Sequence, residues 1–284
     1  MHISQNQRQK QCWSNEHDGR NSIFSSSNIT DNTCIYGAIK FTYPGEIFLH
    51  NCYFSKNHGK HHGGCIHIDN AITLVITKSV FEENISQKGT CVYVSEQVFK
   101  ILIFNSLFYK NRATTYGGIL YITELNSNLF LWLNFCSFNG IFAGEDGSVL
   151  YSEMTKAVDK IYITYSQTAV SQLAPSNVFN TAVQHILFKN IVLTAIVMEM
   201  TLLKMLILNS AFFSKVNFQC PYPSYLKEIY STNKLPLSLY IYYKCVSCRM
   251  HFYVPYRGSL FITKVIRLSD GHTEYYRCIP CPLY

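Results

Sequence analysis

Charge is scarce in this chain, and acid is scarcer than base. Only 14% of the 284 residues are Asp, Glu, Lys or Arg. The six Asp are dispersed, and Glu82-Glu83 and Glu145-Asp146 are the only adjacent acids. Both pairs fall in turn regions, where a solvated loop is the default, and neither Asn-Thr-Asp nor Asp-Asp occurs. Calcium-assisted elimination and acid–base glycoside cleavage both need clustered carboxylates, so the composition speaks against a polysaccharide-cleaving enzyme. The net charge of +7 is scattered, and no stretch gathers five or more basic residues, which speaks against a nucleic-acid partner. There is no Ser-His-Asp logic, phosphate loop or dinucleotide fingerprint, so neither catalytic residues nor a cofactor are expected. No segment has a helical period. The polar opening Met1–Lys10 has no apolar core of a secretory signal. Because the repeats begin at once and the chain stops at Cys281-Pro-Leu-Tyr284, a gene product whose leader is missing is the expectation.

What the chain does have is hydrophobic and aromatic: 48% apolar residues, with 21 Tyr and 19 Phe, an ordered, sheet-forming composition. It also repeats. Phe54-Ser-Lys-Asn57 is followed by Gly63-Gly64-Cys65-Ile66, Phe81-Glu-Glu-Asn84 by Gly89-Thr90-Cys91-Val92, and Phe108-Tyr-Lys-Asn111 by Gly117-Gly118-Ile119-Leu120, at 27-residue intervals. A period of this size marks units that bury their apolar faces only against their neighbours. An alternating strand precedes each motif: Ile47–Phe54, Leu74–Phe81, Ile101–Phe108, Leu131–Phe138 and, last, Met205–Phe212. The residue two before each Phe is small, namely Cys52, Ser79, Ser106, Cys136 and Ser210, and together with the Phe it is expected to face inward.

Three short strands in 20 to 30 residues predict an all-β, right-handed parallel β-helix. Equivalent residues then stack from coil to coil, with Asn57, Asn84 and Asn111 forming an internal amide ladder and the glycines supplying positive φ at sharp bends. Weaker copies are Phe24–Asn28 with Gly37-Ala-Ile39, Phe138 with Gly147–Leu150, Tyr165–Thr168 and Phe188–Val192. The expected organisation is a polar segment 1–19, a solenoid over 20–218, and a cysteine-rich module over 219–284. The apolar stretch Ile191–Leu208 contains Glu199 and Lys204, and is read as strands of further coils rather than a membrane helix.

Alternating Gly-Gly-Ala-Ile-like and Phe-x-x-Asn motifs resemble the polymorphic outer membrane protein repeats and related β-helical surface proteins of bacteria and protists. The resemblance covers about two-thirds of the chain. Two features depart from it: Cys or Ile stands where Ala is usual, and no outer-membrane barrel follows. It implies an exposed, non-enzymatic, adhesin-like domain at the cell surface or outside the cell, of the eukaryotic rather than autotransporter kind. The implied partner is a glycan or a protein, and any membrane anchor is expected in a segment missing from this chain. The alternatives are a β-helix carbohydrate-active enzyme and a structural stalk. A face lined by exposed aromatics would favour binding, and one of Ser, Thr and Asn alone would favour the stalk.

Two sequons, Asn28-Ile-Thr30 and Asn84-Ile-Ser86, are compatible with a secretory route. Asn84, as a ladder residue, is expected to be silent. Of the eleven cysteines, Cys52, Cys65, Cys91 and Cys136 read as small buried fillers, with Cys65 and Cys91 in adjacent coils and close enough for a disulfide as the alternative. Cys220 opens a second group containing Cys245-Val-Ser-Cys248 and Cys278-Ile-Pro-Cys281. Disulfides are the expectation there, with a tetrahedral zinc site on Cys245, Cys248, Cys278 and Cys281 as the rival. His58, His61, His62 and His67 form the densest titratable cluster, and are read as a solvated turn rather than a metal site.

Overall fold

Stacked short strands turn most sharply at left-handed residues, and each of the central coils supplies three. In the computed structural model, the coil beginning at Glu46 runs through strands Glu46–His50, Tyr53–Ser55, His58–His62 and Ile66–Ile68. Asn51 separates the first two strands, Lys56 the second and third, and Gly63 the last two, all at positive φ. The next coils repeat this with Lys78, Glu83 and Gly89, and with Asn105, Lys110 and Gly117. The structure describes residues 2–4, 12–16, 20–123, 129–153, 160–170, 179–181, 185–195, 201–207, 210–219, 224–234, 237–247, 252–253, 259–266 and 279–280. Among them there is no helix, and none long and apolar enough to cross a membrane.

The architecture is a parallel β-solenoid. First and second strands of successive coils build most of a 16-stranded sheet, third strands a five-stranded sheet, and fourth strands most of a 10-stranded sheet. Pairing is in register: Leu74 sits between Ile47 and Ile101, and Phe81 between Phe54 and Phe108. Parallel stacking continues as far as Ser210–Gln219 on His185–Ala195. Beyond it, Ser224–Lys234 and Leu237–Ser247 pair antiparallel, and Ser259–Ile266 lies antiparallel on Ser210–Gln219.

The core follows from the ladders. Phe54, Phe81, Phe108 and Phe138 stack with centroids 4.7, 5.0 and 5.1 Å apart, close to the strand spacing. The Asn84 Oδ1 accepts from Asn57 N (2.9 Å) and Asn57 Nδ2 (3.0 Å). Its Nδ2 donates to Phe54 O (3.1 Å) and Asn111 Oδ1 (2.9 Å). Asn111 serves Asn84 N in the same way. Asn32 extends the ladder at one end, donating to Asn57 Oδ1. In the following coil Ile141 is the buried residue three beyond the stacked Phe138, and the amide ladder stops. Ser79 Oγ donates to Thr77 O and accepts from Cys52 N, and Ser106 Oγ repeats this one coil on. A small hydroxyl or thiol at this position therefore ties each bend to the next.

Three expectations need correction. The stretch Ile47–Phe54 is not one strand, because left-handed Asn51 breaks it. The Phe24–Asn28 copy is misaligned: Phe24 pairs with Leu49, and Ile29 takes the Phe54 position, with Asn32 at the ladder site. The first interval is 25 residues rather than 27, which hid this. The Met205–Phe212 copy also dissolves, since Met205 pairs with Thr181 in the fourth-strand sheet while Ser210 and Phe212 pair with His185 and Leu187. Cys52, Cys65, Cys91 and Cys136 are buried free thiols. Burial pushes the thiols of Cys52, Cys91 and Cys136 up, Cys136 to about 12. A pairing absent from the sequence reading is the Cys12–Cys34 disulfide. The side chains of Cys220, Cys245, Cys248, Cys278 and Cys281 lie outside the described residues.

Candidate functional site: an aromatic strand face

Alternation along the first strands buries Ile47 and Leu49, Leu74 and Ile76, Ile101 and Ile103, Leu131 and Leu133, Ile161 and Ile163. The residue between each pair must then face outward. Those residues are Phe48, Val75, Leu102, Trp132 and Tyr162, all half-buried and aligned by register into one column. A flanking column runs His50, Thr77, Phe104, Asn134 and Thr164, and on the other side Lys100 is followed by Phe130.

The aromatic content is concentrated in the later coils and is held in place. Trp132 Nε1–H donates to Thr164 Oγ1 (2.9 Å), which in turn donates to Asn134 Oδ1 (2.7 Å). Phe104 meets the indole edge-on at 5.2 Å, and Phe130 lies 5.3 Å from Tyr162, distances typical of attractive ring pairs. Lys100, Leu102, Phe130 and Trp132 line a shallow depression of about 330 Å³. At the adjoining bend Phe135 and Tyr165 are exposed and stacked at 4.9 Å. A half-exposed, laterally fixed aromatic ridge beside a lysine can stack on flat apolar surfaces without reorganising.

The fourth-strand sheet carries a different outward column of Lys40, His67, Tyr93, Tyr121 and Tyr151. Here the rings stack on one another at 5.0, 5.1 and 5.3 Å, and Tyr121 is only 1% exposed. Its hydroxyl donates to Glu153 and receives a bond from Lys88 Nζ at 3.0 Å. Burial and the Glu153 carboxylate raise the Tyr121 pKa. Asp69 gathers Lys40 (2.8 Å), His67 Nε2 (2.7 Å) and Ser95 Oγ (2.8 Å). Burial alone would raise its carboxyl, but the bonds from His67, Lys40 and Ser95 outweigh burial and hold it well below the usual carboxylate range. The polar groups of this column are largely spent on one another, which makes it a spine rather than a binding face.

The histidine cluster is solvated at His58 and His61, as expected, but it is not a turn. His58–His62 is a strand, and His67 is 3% exposed beneath Tyr36 and Tyr93. Among the described residues no three His, Cys, Asp or Glu side chains converge on one point. Burial lowers the His62 pKa, aided by His67 and Lys88. Both shifts have the same consequence for pH. The unfolded chain takes up a proton at His62 near pH 6.5 and at Asp69 near pH 3.9, in each case above the folded value. Stability is therefore full above these pH values and is lost as pH falls through them. Urea midpoints are expected to drop first between pH 7 and 5 and again below pH 4, with H62Q flattening the first step and D69N the second. A midpoint that rises on acidification would contradict this.

Of the residues the sequence singles out, Phe54, Phe81 and Phe108, Asn57, Asn84 and Asn111, and Gly63, Gly64, Gly117 and Gly118 all lie in the interior or at coil corners. None contributes to the aromatic face. Residues that do, such as Trp132 and Phe130, share no residue type from coil to coil and leave no motif. The signal that could have found them is the aliphatic pair that flanks each outward residue, Ile47 and Leu49, Leu74 and Ile76, Ile101 and Ile103, Leu131 and Leu133. No protein-family model, no curated protein and no solved structure matches this chain, so the reading of this face rests on its chemistry.

Proposed function

We propose that the chain is a non-enzymatic, adhesin-like β-solenoid acting at the cell surface or outside the cell, as the resemblance to polymorphic outer membrane protein-like repeats implies, and that it holds a glycan or protein partner along its aromatic strand face. The observation that carries this reading is the half-exposed column Phe48, Val75, Leu102, Trp132 and Tyr162 with Phe104 and Phe130 beside it. A stalk has no use for such a face. Fixed aromatic side chains dominate binding surfaces because they offer large contact area at low entropic cost. The column repeats at the strand spacing, so weak contacts sum along it. The Cys12–Cys34 pairing supports an oxidising compartment.

The test is to screen the purified chain against immobilised glycans and matrix proteins, then repeat with variants. W132A, which removes the best-anchored aromatic, is expected to weaken binding at least about tenfold, in the range of an interface hot spot. S137A on the neighbouring second-strand face is expected to leave binding unchanged. Equal loss in both variants, or no binding to either class, would sink the face as the site. Shortening of a polysaccharide during the screen would favour the enzyme reading instead.

A further inference from the structure

We infer that Asn28 is an N-glycan acceptor, and that the fold excludes a glycan from Asn84, the chain's other Asn-x-Ser/Thr sequon. The inference rests on the extracellular part of the reading above, since only that route meets the transferase.

The two sequons are alike in sequence and opposite in placement. Asn28 lies on the second strand Asn28–Thr30, where burial alternates: Ser27 and Ile29 point into the core, while Asn28 and Thr30 face outward and are half-exposed. That strand ends the described order of its sheet. A shallow depression of about 260 Å³ is lined by Asn28, Thr30, Asp31, Tyr53, Ser55 and Lys56, so the surface around this sequon is open rather than packed. The Cys12–Cys34 disulfide near this end of the solenoid independently fits the compartment in which such transfer occurs.

Asn84 has neither space nor a spare hydrogen. It is 0% exposed, and its Nδ2 uses both protons, toward Phe54 O and Asn111 Oδ1. A glycosylated amide keeps one N–H and adds a sugar where the ladder is closed. A chain modified at Asn84 therefore cannot complete its coil.

The chemistry is a simple displacement. The Asn28 Nδ2 attacks the anomeric carbon of a polyisoprenyl diphosphate-linked oligosaccharide and a C–N bond forms. The bond to the diphosphate oxygen breaks, the lipid diphosphate departs, and one amide proton passes to base. Nothing is oxidised or reduced. The acceptor lies on the second-strand face, across the Ser26 bend from the first-strand column that holds Phe48 and Trp132.

The experiment expresses the full chain behind a cleavable secretion signal in insect cells. Peptides from the secreted pool and the cell-retained pool are treated with peptide N-glycosidase in heavy-oxygen water and read by mass spectrometry. Asn28 is expected to carry sugar in both pools, and Asn84 only in the retained one. Thr30→Ala abolishes the secreted glycoform, and Ser86→Ala leaves it intact. Bare Asn28 in both pools, or sugar on Asn84 in folded secreted protein, overturns the inference. Asn28→Gln is expected to keep the melting profile, which separates loss of sugar from loss of fold. A bare Asn28 on protein that still binds through Trp132 sinks this inference alone. Occupied Asn28 with W132A binding unchanged sinks the functional reading alone.

Discussion

Replacing Asn84 by alanine is expected to cost the fold about 3–5 kcal/mol, a large share of the roughly 5–15 kcal/mol that holds a domain together. The side chain is wholly buried and makes four hydrogen bonds. Its Oδ1 is the partner of the Asn57 N–H, so truncation strands a buried donor. Each such orphan costs about 1–3 kcal/mol, and the bonds to Phe54 O and Asn111 Oδ1 go with it. Asn32 supplies the comparison. It occupies the equivalent position at the end of the ladder, but among the described residues its Oδ1 has no partner and its side chain gives a bond only to Asn57 Oδ1. Asn57 Oδ1 would still accept the Asn32 N–H, so N32A is expected to lose about 1 kcal/mol, one ordinary hydrogen bond. Urea midpoints of the two variants measure the difference. Equal, small losses would mean that coil stacking rather than the ladder sets the stability here.

The interior of the fold was legible because its constraint is identity. A ladder works only if the same side chain returns at the same place, so Phe54, Phe81 and Phe108 and their asparagines recur in sequence as they stack in space. The outer face obeys no such rule. Val75 and Trp132 occupy one column because solvent accepts either. The bend added a second obstacle. Unbroken alternation backward from Phe54 would carry Phe48 inside, whereas left-handed Asn51 reverses the parity and turns Phe48 out. Such a bend has no compositional mark, since Ser26, Asn51, Lys78, Asn105, Phe135 and Tyr165 all serve. Local strain of about 1–2 kcal/mol at each non-glycine bend is accepted because stacking over-determines the conformation. The burial of His67 is hidden from the sequence for a related reason. His-rich polar sequence suggests a turn, but register places this histidine beside Tyr93 and beneath Tyr36, and that burial is a property of the stack rather than of the segment.

Gly118→Ala is expected to cost about 3 kcal/mol or more, toward the upper end of overpacking penalties, and G140A only about 1–2 kcal/mol, the strain of a left-handed alanine. The comparison separates the two duties of glycine. Gly140 is left-handed, with its nearest non-neighbour atom 3.4 Å from an added Cβ, so its substitution strains φ and little else. Gly118 has no left-handed φ to protect. Its added Cβ would lie 2.4 Å from Ser148 O, 2.6 Å from Phe142 O and 2.7 Å from Ile141 Cγ2. Two of these atoms are backbone of the next coil and cannot rotate away. Relief requires the coils to part, yet Gly118 N–H is bonded to Gly147 O at 3.2 Å and Leu120 N–H to Val149 O at 3.0 Å. The equivalent residues in the flanking coils are Thr90 and Ser148, one residue after Gly89 and Gly147. Both are fully buried, so side chains on either side of Gly118 already fill this corner. Thermal unfolding of the two variants decides the matter. A G118A protein that melts within a few degrees of G140A would show that adjacent coils slide apart easily, and the solenoid would then be a far softer scaffold than its ladders imply.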